Sequence, residues 1–207
     1  MKLSLPEDAA RLGLRLDRQA LDRLTAFTEM LTARAIPLGL VSERDADRVY
    51  ERHVLDSLRV ATVLQGDDNT MIDIGSGAGL PGLVVGAARP ELSMTLVDSR
   101  RRAGAFLELA VDELGLPRIE VRIARVEDVR ARVDVCTARA FAPIGRSWEV
   151  ARPLLGPGGR LVYFAGAGLK DPEEAALRAS SPAPPGRVEV RRVIESSPPL
   201  VMMSLEG

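Results

Sequence analysis

Four glycines stand within the eight residues from Gly75 to Gly82, directly behind the short apolar run Met71-Ile72-Asp73-Ile74. A run of that length bounded by turn residues reads as a buried strand, and Leu83 to Ala88 reads as a helix behind it. A backbone that leaves a strand, turns within a few residues and enters a helix needs glycine where a Cβ would collide with the turn or with an approaching ligand. That requirement sets the fold class. Units of strand, glycine turn and helix build parallel sheets covered by helices, with ligands at the carboxyl edge of the strands.

The rest of the chain keeps the alternation. Ser93 to Val97 reads as a second strand ending at Asp98, Arg102 to Leu114 as a helix closed by Gly115 and Pro117, and Ile119 to Ile123 as a third strand. Val133 to Thr137 and Arg160 to Phe164 supply the fourth and fifth strands, with a helix over Trp148–Leu155 stopped by Gly156-Pro157-Gly158-Gly159. The prediction is an α/β fold with a doubly wound, mostly parallel sheet and right-handed crossovers. After the turn-rich connector Ser180–Gly186, Val188–Ile194 and Leu200–Leu205 read as a closing antiparallel pair. The first third is helical instead. Leu16, Ala20, Leu24, Phe27 and Leu31 recur at helical spacing with Asp17 as a cap, and a second amphipathic helix runs from about Asp45 to Leu64. Residues 1–66 are therefore expected as an N-terminal helical extension and residues 67–207 as a Rossmann-like domain, together one unit.

The loop fits two ligands. Gly77, Gly79 and Gly82 satisfy the spacing of a dinucleotide site, while Asp73-x-Gly75-x-Gly77-x-Gly79 satisfies the acidic-glycine pattern of S-adenosylmethionine enzymes. A pyrophosphate is repelled by a carboxylate at the loop entry, whereas the ammonium of a methionine moiety is attracted to one, so Asp73 favours the sulfonium cofactor. Asp98 ends the next strand, where a carboxylate can accept both hydroxyl hydrogens of an adenosine ribose.

Composition narrows the function classes. A net charge of -1 and seven aromatic residues argue against a generally basic nucleic-acid binder and against a broad base-stacking platform. One cysteine, Cys136, and one histidine, His53, leave no intrachain disulfide and make a metal site improbable. The charged start and the lack of a long apolar run predict no signal peptide, no membrane partner and a cytoplasmic location.

Several motifs together are more specific than the glycine loop alone. Arg52-His53-Val54-Leu55-Asp56-Ser57-Leu58, Asp73 to Gly82 with its Leu80-Pro81-Gly82 ending, Thr95-Leu96-Val97-Asp98-Ser99 before Phe106-Leu107, Arg125-Val126-Glu127-Asp128 and Arg139-Ala140-Phe141-Ala142 occur in that order. The combination resembles the RsmG (GidB) family, bacterial 16S ribosomal RNA guanine-N7 methyltransferases, from about Arg44 to about Ala176. The resemblance implies a class I S-adenosylmethionine-dependent methyltransferase fold and 16S rRNA or the small ribosomal subunit as partner. It implies cofactor contacts at Gly75, Leu80, Val126, Glu127 and Arg139. The reading of the residues adds Asp73, Gly77, Gly79 and Asp98 to that set. Arg139, after the fourth strand, is expected to position cofactor and target together, and His53 to join a polar network holding the helical cap on the sheet. A methyltransferase for another RNA or a small molecule, and a non-catalytic cofactor-binding relative, stand beside this reading. The chain lacks the family's Trp-Asn pair and has Ala103 and Ala165 where basic residues are usual, at positions expected to grip a polyanion. Arg100, Arg101, Arg102, Arg125, Arg139 and Arg146 are expected to form a small basic surface at the carboxyl edge.

Overall fold

Side chains of the first strand, β1 (Thr70–Ile74), alternate between two cores, as the pleat requires. Met71 packs into one apolar cluster, while Ile72 and Ile74 pack into the other. The computed structural model describes residues 4–166, 168–169, 171–179 and 185–205. Around β1 lie β2 (Ser93–Asp98), β3 (Ile119–Ile123), β4 (Val133–Ala138), β5 (Leu155–Phe164), β6 (Arg187–Arg191) and β7 (Leu200–Ser204). One seven-stranded sheet has the order β3-β2-β1-β4-β5-β7-β6. The pairs among β1 to β5 are parallel, and β7 runs antiparallel to both β5 and β6. The order reverses between β1 and β4, so their carboxyl ends open a crevice where ligands of open α/β sheets bind.

Helices cover both faces. On one, α4 (Gly82–Ala88) and α5 (Arg101–Glu113) meet α2 (Arg18–Met30). The buried stripe Ala103, Phe106, Leu107, Ala110 on α5 has the spacing of an amphipathic helix. On the other face, α6 (Ile144–Ala151) buries Trp148 completely. Asp17 caps α2 by accepting the Ala20 N–H at 2.7 Å.

Four readings shift. The helix expected over 45–64 is broken into a 3₁₀ stretch (Glu43–Arg48), a π stretch (Tyr50–Leu55), the α turn α3 (Asp56–Leu58) and a further 3₁₀ turn (Arg59–Thr62). The polar contacts of His53, Asp56, Ser57 and Arg59 are made along these changes of pitch. Gly156–Gly159 does not stop a helix but opens β5, where a Cβ on Gly159 would lie 2.8 Å from the Val133 carbonyl. Two short helices, α1 (Leu5–Arg11) and α7 (Pro172–Ala179), lack a strong apolar period and escape the sequence reading. The closing pair is antiparallel as expected, but β6 ends at Arg191, before the turn around Ile194–Ser197. The connector read at Ser180–Gly186 lies mostly outside the described residues.

One buried ion pair ties the turn before β1 to β5. Arg160 Nη1 donates to Asp68 Oδ1 at 2.9 Å and Nη2 to Oδ2 at 2.5 Å, and Nη2 also reaches the Val63 carbonyl at 3.2 Å. Both side chains are buried, so removing one partner strands a charge. Asp68→Ala is expected to cost about 3–5 kcal/mol in urea unfolding.

Candidate functional site

The glycine loop is laced to three strands. Gly75 and Ser76 both donate their N–H groups to the Val97 carbonyl of β2, at 2.8 and 3.0 Å. Gly75, Gly77 and Gly79 all have positive φ, at 69°, 57° and 82°, a backbone region that L side chains rarely adopt. A Cβ on Gly75 would lie 2.6 Å from the Phe141 ring, so that glycine also sets how closely the segment after β4 packs on the loop.

Asp73 lies beneath the loop. Its Oδ1 accepts from the Thr137 hydroxyl of β4 at 2.7 Å, and its Oδ2 accepts the Gly82 N–H at the start of α4 at 3.1 Å. The carboxylate is buried, with both oxygens occupied by groups of the chain itself. The sequence reading put Asp73 beside a ligand ammonium. In the structure it fastens the loop at the helix start by accepting the Gly82 N–H.

Asp98 sits at the rim. Its Oδ2 accepts the Gly77 N–H at 2.9 Å, and its Oδ1 accepts the Arg100 N–H at 2.9 Å. Arg100 adds a side-chain fork, Nε to Oδ1 at 3.0 Å and Nη2 to Oδ2 at 2.9 Å. Burial pushes the Asp98 carboxyl upward, but the Arg100 bonds and the two backbone donors outweigh it and hold its pKa below the ordinary value.

A cleft of about 320 Å³ opens here, within the size range of small-molecule sites. Gly75, Asp98, Val126 and Glu127 line it, so four of the sequence-derived residues converge. Val126 is buried in a 3₁₀ turn after β3 and supplies an apolar wall, while Glu127 pairs at the surface with Arg146 at 2.6 Å. Gly77, Gly79 and Leu80 shape the loop itself. Val97, Arg100, Ala140 and Phe141 also line the cleft; the sequence reading placed Arg100 in the basic surface but named none of the four as a cofactor contact. Phe141 belongs to a motif already singled out, and Arg100 stands two residues from Asp98, so both carried a local signal. Ala140 lies in the same motif as Phe141, but its left-handed conformation, φ 52°, is visible only in three dimensions.

Arg139 turns from the cleft to the helical segment. It donates to the Arg52 carbonyl at 2.8 Å, approaches Asp56 at 3.3 Å and Ser57 Oγ at 3.4 Å, and lies 5.5 Å from the centroid of the Phe164 ring. Its Nη2 also meets His53 Nδ1 at 3.1 Å, and His53 Nε2 meets Asp45 at 3.1 Å. A guanidinium only donates and a carboxylate only accepts, so Nδ1 carries the lone pair and Nε2 the proton. Burial and then the Arg139 charge hold the His53 pKa below its usual value, against Asp45, which keeps this neutral form in place. The polar network expected around His53 is present.

Only part of the expected basic surface is left by the six arginines. Arg139 is inside, Arg100 is neutralised by Asp98, and Arg146 by Glu127 and Glu149. Arg101, Arg102 and Arg125 are exposed; Arg102 donates to the Leu38 carbonyl at 3.1 Å, and Arg125 lines the cleft. Ala103 and Ala165 are buried, so a charge at either would have to leave water; their substitution does not strip the exposed rim. No group of three or more metal-ligating side chains occurs among the described residues, and no described helix is long and apolar enough to cross a membrane.

Comparison with known proteins agrees with this geometry. Residues 20–183 match the family described as rRNA small subunit methyltransferase G. A protein of Clavibacter sepedonicus named ribosomal RNA small subunit methyltransferase G is 39% identical over 74% of this chain and 72% of its own length. Its namesake in Thermobifida fusca is 36% identical over 91% of this chain and 79% of its own length. The chain spans only 63% of a third namesake, from Acidothermus cellulolyticus. Among solved structures, a putative S-adenosyl-L-methionine-dependent methyltransferase of Methanococcus maripaludis superposes with a TM-score of 0.58 at 13% identity, covering 89% of this chain and 92% of that one. The fold is thus that of the class I methyltransferases.

The buried Asp73 has a consequence for stability. Burial raises its pKa to about 6, above the ordinary 3.8, despite the hydrogen bonds from Thr137 and Gly82. A carboxyl raised in the folded state stabilises the fold below its ordinary pKa and loses that contribution as pH rises through the folded value. Asp73→Asn keeps an acceptor for Gly82 and cannot ionise. Its stability relative to the native chain is expected to rise by on the order of 2 kcal/mol from about pH 4 to about pH 7 in urea unfolding. Parallel pH profiles for the two proteins would contradict this placement of Asp73.

Proposed function

Because the chain belongs to the rRNA small subunit methyltransferase G family, we propose that it is an S-adenosylmethionine-dependent methyltransferase acting on N7 of a guanine in 16S ribosomal RNA. The cleft at the sheet's switch point carries this reading: it joins a carboxylate at the end of β2, an apolar wall after β3 and a glycine loop that admits close approach.

The residues present fit the cofactor. Asp98 would accept the two ribose hydroxyls, Val126 would cover a face of adenine, and Glu127 would stand at the adenine edge. Gly75, Gly77 and Gly79 let the backbone approach the methionine end, with Asp73 and Leu80 keeping the loop in shape. When bound, S-adenosylmethionine would supply a methyl carbon on a sulfonium, whose bond to sulfur breaks as the methyl group passes to N7, leaving S-adenosylhomocysteine. N7 holds its lone pair in the base plane at neutral pH, so the chain needs no general base. Its task is to align donor and acceptor and exclude water, effects that supply several kcal/mol. The guanine enters unstacked, since an enclosed cleft cannot reach into stacked RNA. Arg139 serves as a positioning residue: it fixes the Arg52–Ser57 segment to the end of β4, with His53 holding its guanidinium. Residues 1–66 act as a cap on the catalytic unit 67–207, and the protein works in the cytoplasm on the small subunit.

Two measurements test the reading. Small subunits from a strain lacking the gene are expected to accept tritiated methyl groups from the purified protein at guanine N7; no transfer to subunits or naked 16S RNA would overturn it. Asp98→Asn weakens the acceptor facing the ribose and is expected to lower S-adenosylmethionine affinity about tenfold by calorimetry, the scale of a hydrogen bond to a charged group.

A further inference from the structure

A carboxylate offers about four in-plane lone-pair sites, and all four on Asp98 are filled. Two are taken by the backbone N–H groups of Gly77 and Arg100, which the fold holds in place. The other two are taken by Nε and Nη2 of the Arg100 side chain, at 3.0 and 2.9 Å. Two hydroxyl donors from a ribose need the same number of sites, and only the side-chain donors can leave. The Arg100 guanidinium therefore lies where the ribose must go. Its Nη2 is 3.5 Å from the position a Cβ would take on Gly77, against the mouth of the loop. Its side chain is 59% exposed, while Asp98 is 5% exposed, so the arginine can swing into solvent while the carboxylate stays put.

What would hold Arg100 once it has left follows from its surroundings. Arg100 and Arg125 line the cleft, with the exposed Arg101 next in the chain, and each guanidinium can make a bidentate bond to phosphate, which suits a polyanion. We propose that Arg100 is a stand-in for the ribose, resting on Asp98 until the RNA backbone draws it away, and that it thereby couples RNA engagement to cofactor affinity. This rests on the cofactor and RNA reading given above. No covalent step is involved. The coupling is reciprocal: whatever factor RNA adds to cofactor affinity, the cofactor adds to RNA affinity.

The test is calorimetric titration of S-adenosylhomocysteine into the full-length protein, alone and with a mixed-sequence RNA oligonucleotide. An exposed ion pair is weak, so Arg100→Ala is expected to bind the nucleoside up to about fivefold tighter than the native chain. Adding RNA is expected to tighten binding by the native chain and leave Arg100→Ala unchanged. Raising the ionic strength, which screens the exposed pair, is expected to improve native affinity and not that of the variant. Arg18→Ala, which removes an equal charge from the exposed start of α2, should behave as the native chain does. Equal or weaker binding by Arg100→Ala, or an RNA effect that persists in it, would overturn the role of Arg100 and leave the cofactor reading standing. No binding by any of the proteins would overturn the cofactor reading, and this inference with it.

Discussion

Two carboxylates at the carboxyl edge of the sheet decide the shape of everything around them. Asp73 and Asp98 end or nearly end adjacent parallel strands, and each accepts a backbone N–H from the glycine loop. Asp73 grips the helix end of the loop from below and ties it across to β4 through Thr137. Asp98 grips the middle of the loop from the rim. A loop with three positive-φ glycines has little conformational preference of its own, so these bonds, with the Val97 carbonyl, supply the order that the glycines lack. The cleft exists because the loop is held open between them. The division is also electrostatic: burial raises the pKa of one carboxyl while donors lower that of the other, so only Asp98 presents a dependable charge to the cleft.

The helical segment before β1 is joined to this edge by a second set of contacts. Arg139 at the end of β4 reaches into the turns around Arg52, His53 and Asp56. Arg59, from the same segment, pairs with Asp56 at 2.6 Å and donates to the Pro198 carbonyl at 2.5 Å. Both guanidiniums lie within 5.5 Å of the Phe164 ring centroid at the end of β5. The N-terminal helices are thus connected to the strand ends that frame the cleft.

Periodicity exposes the parts of this fold that follow local rules. The five parallel strands, the loop and the stripe on α5 can be read from spacing because their burial follows the pleat and the helical turn. The segment from Glu43 to Thr62 could not be read as it folds: its apolar residues suit a regular helix, but its polar contacts to Arg139 and Pro198 are distant in sequence and accompany changes in pitch. The glycines at 156–159 misled for a related reason, since a close approach of two backbones and a helix stop use the same residue. In the site, Asp98 could be found from its place at the end of β2, while Gly75, Val126 and Glu127 came from the family resemblance, with which their places after strands agree. Asp73 could be found from the loop pattern, but its partners Thr137 and Gly82 arrive through the tertiary fold. The arginine cluster shows the opposite error: counting charges near the edge missed that acidic neighbours or burial had already claimed Arg100, Arg139 and Arg146.

The central claim is that this edge holds the adenosine of S-adenosylmethionine between Asp98 and Val126. A crystal structure of the protein with S-adenosylhomocysteine tests it most directly. The account predicts both ribose hydroxyls on the Asp98 carboxylate and the adenine against Val126, with the amino-acid end over the glycine loop. A nucleoside bound elsewhere, or seated in the cleft without contact to Asp98, would contradict it.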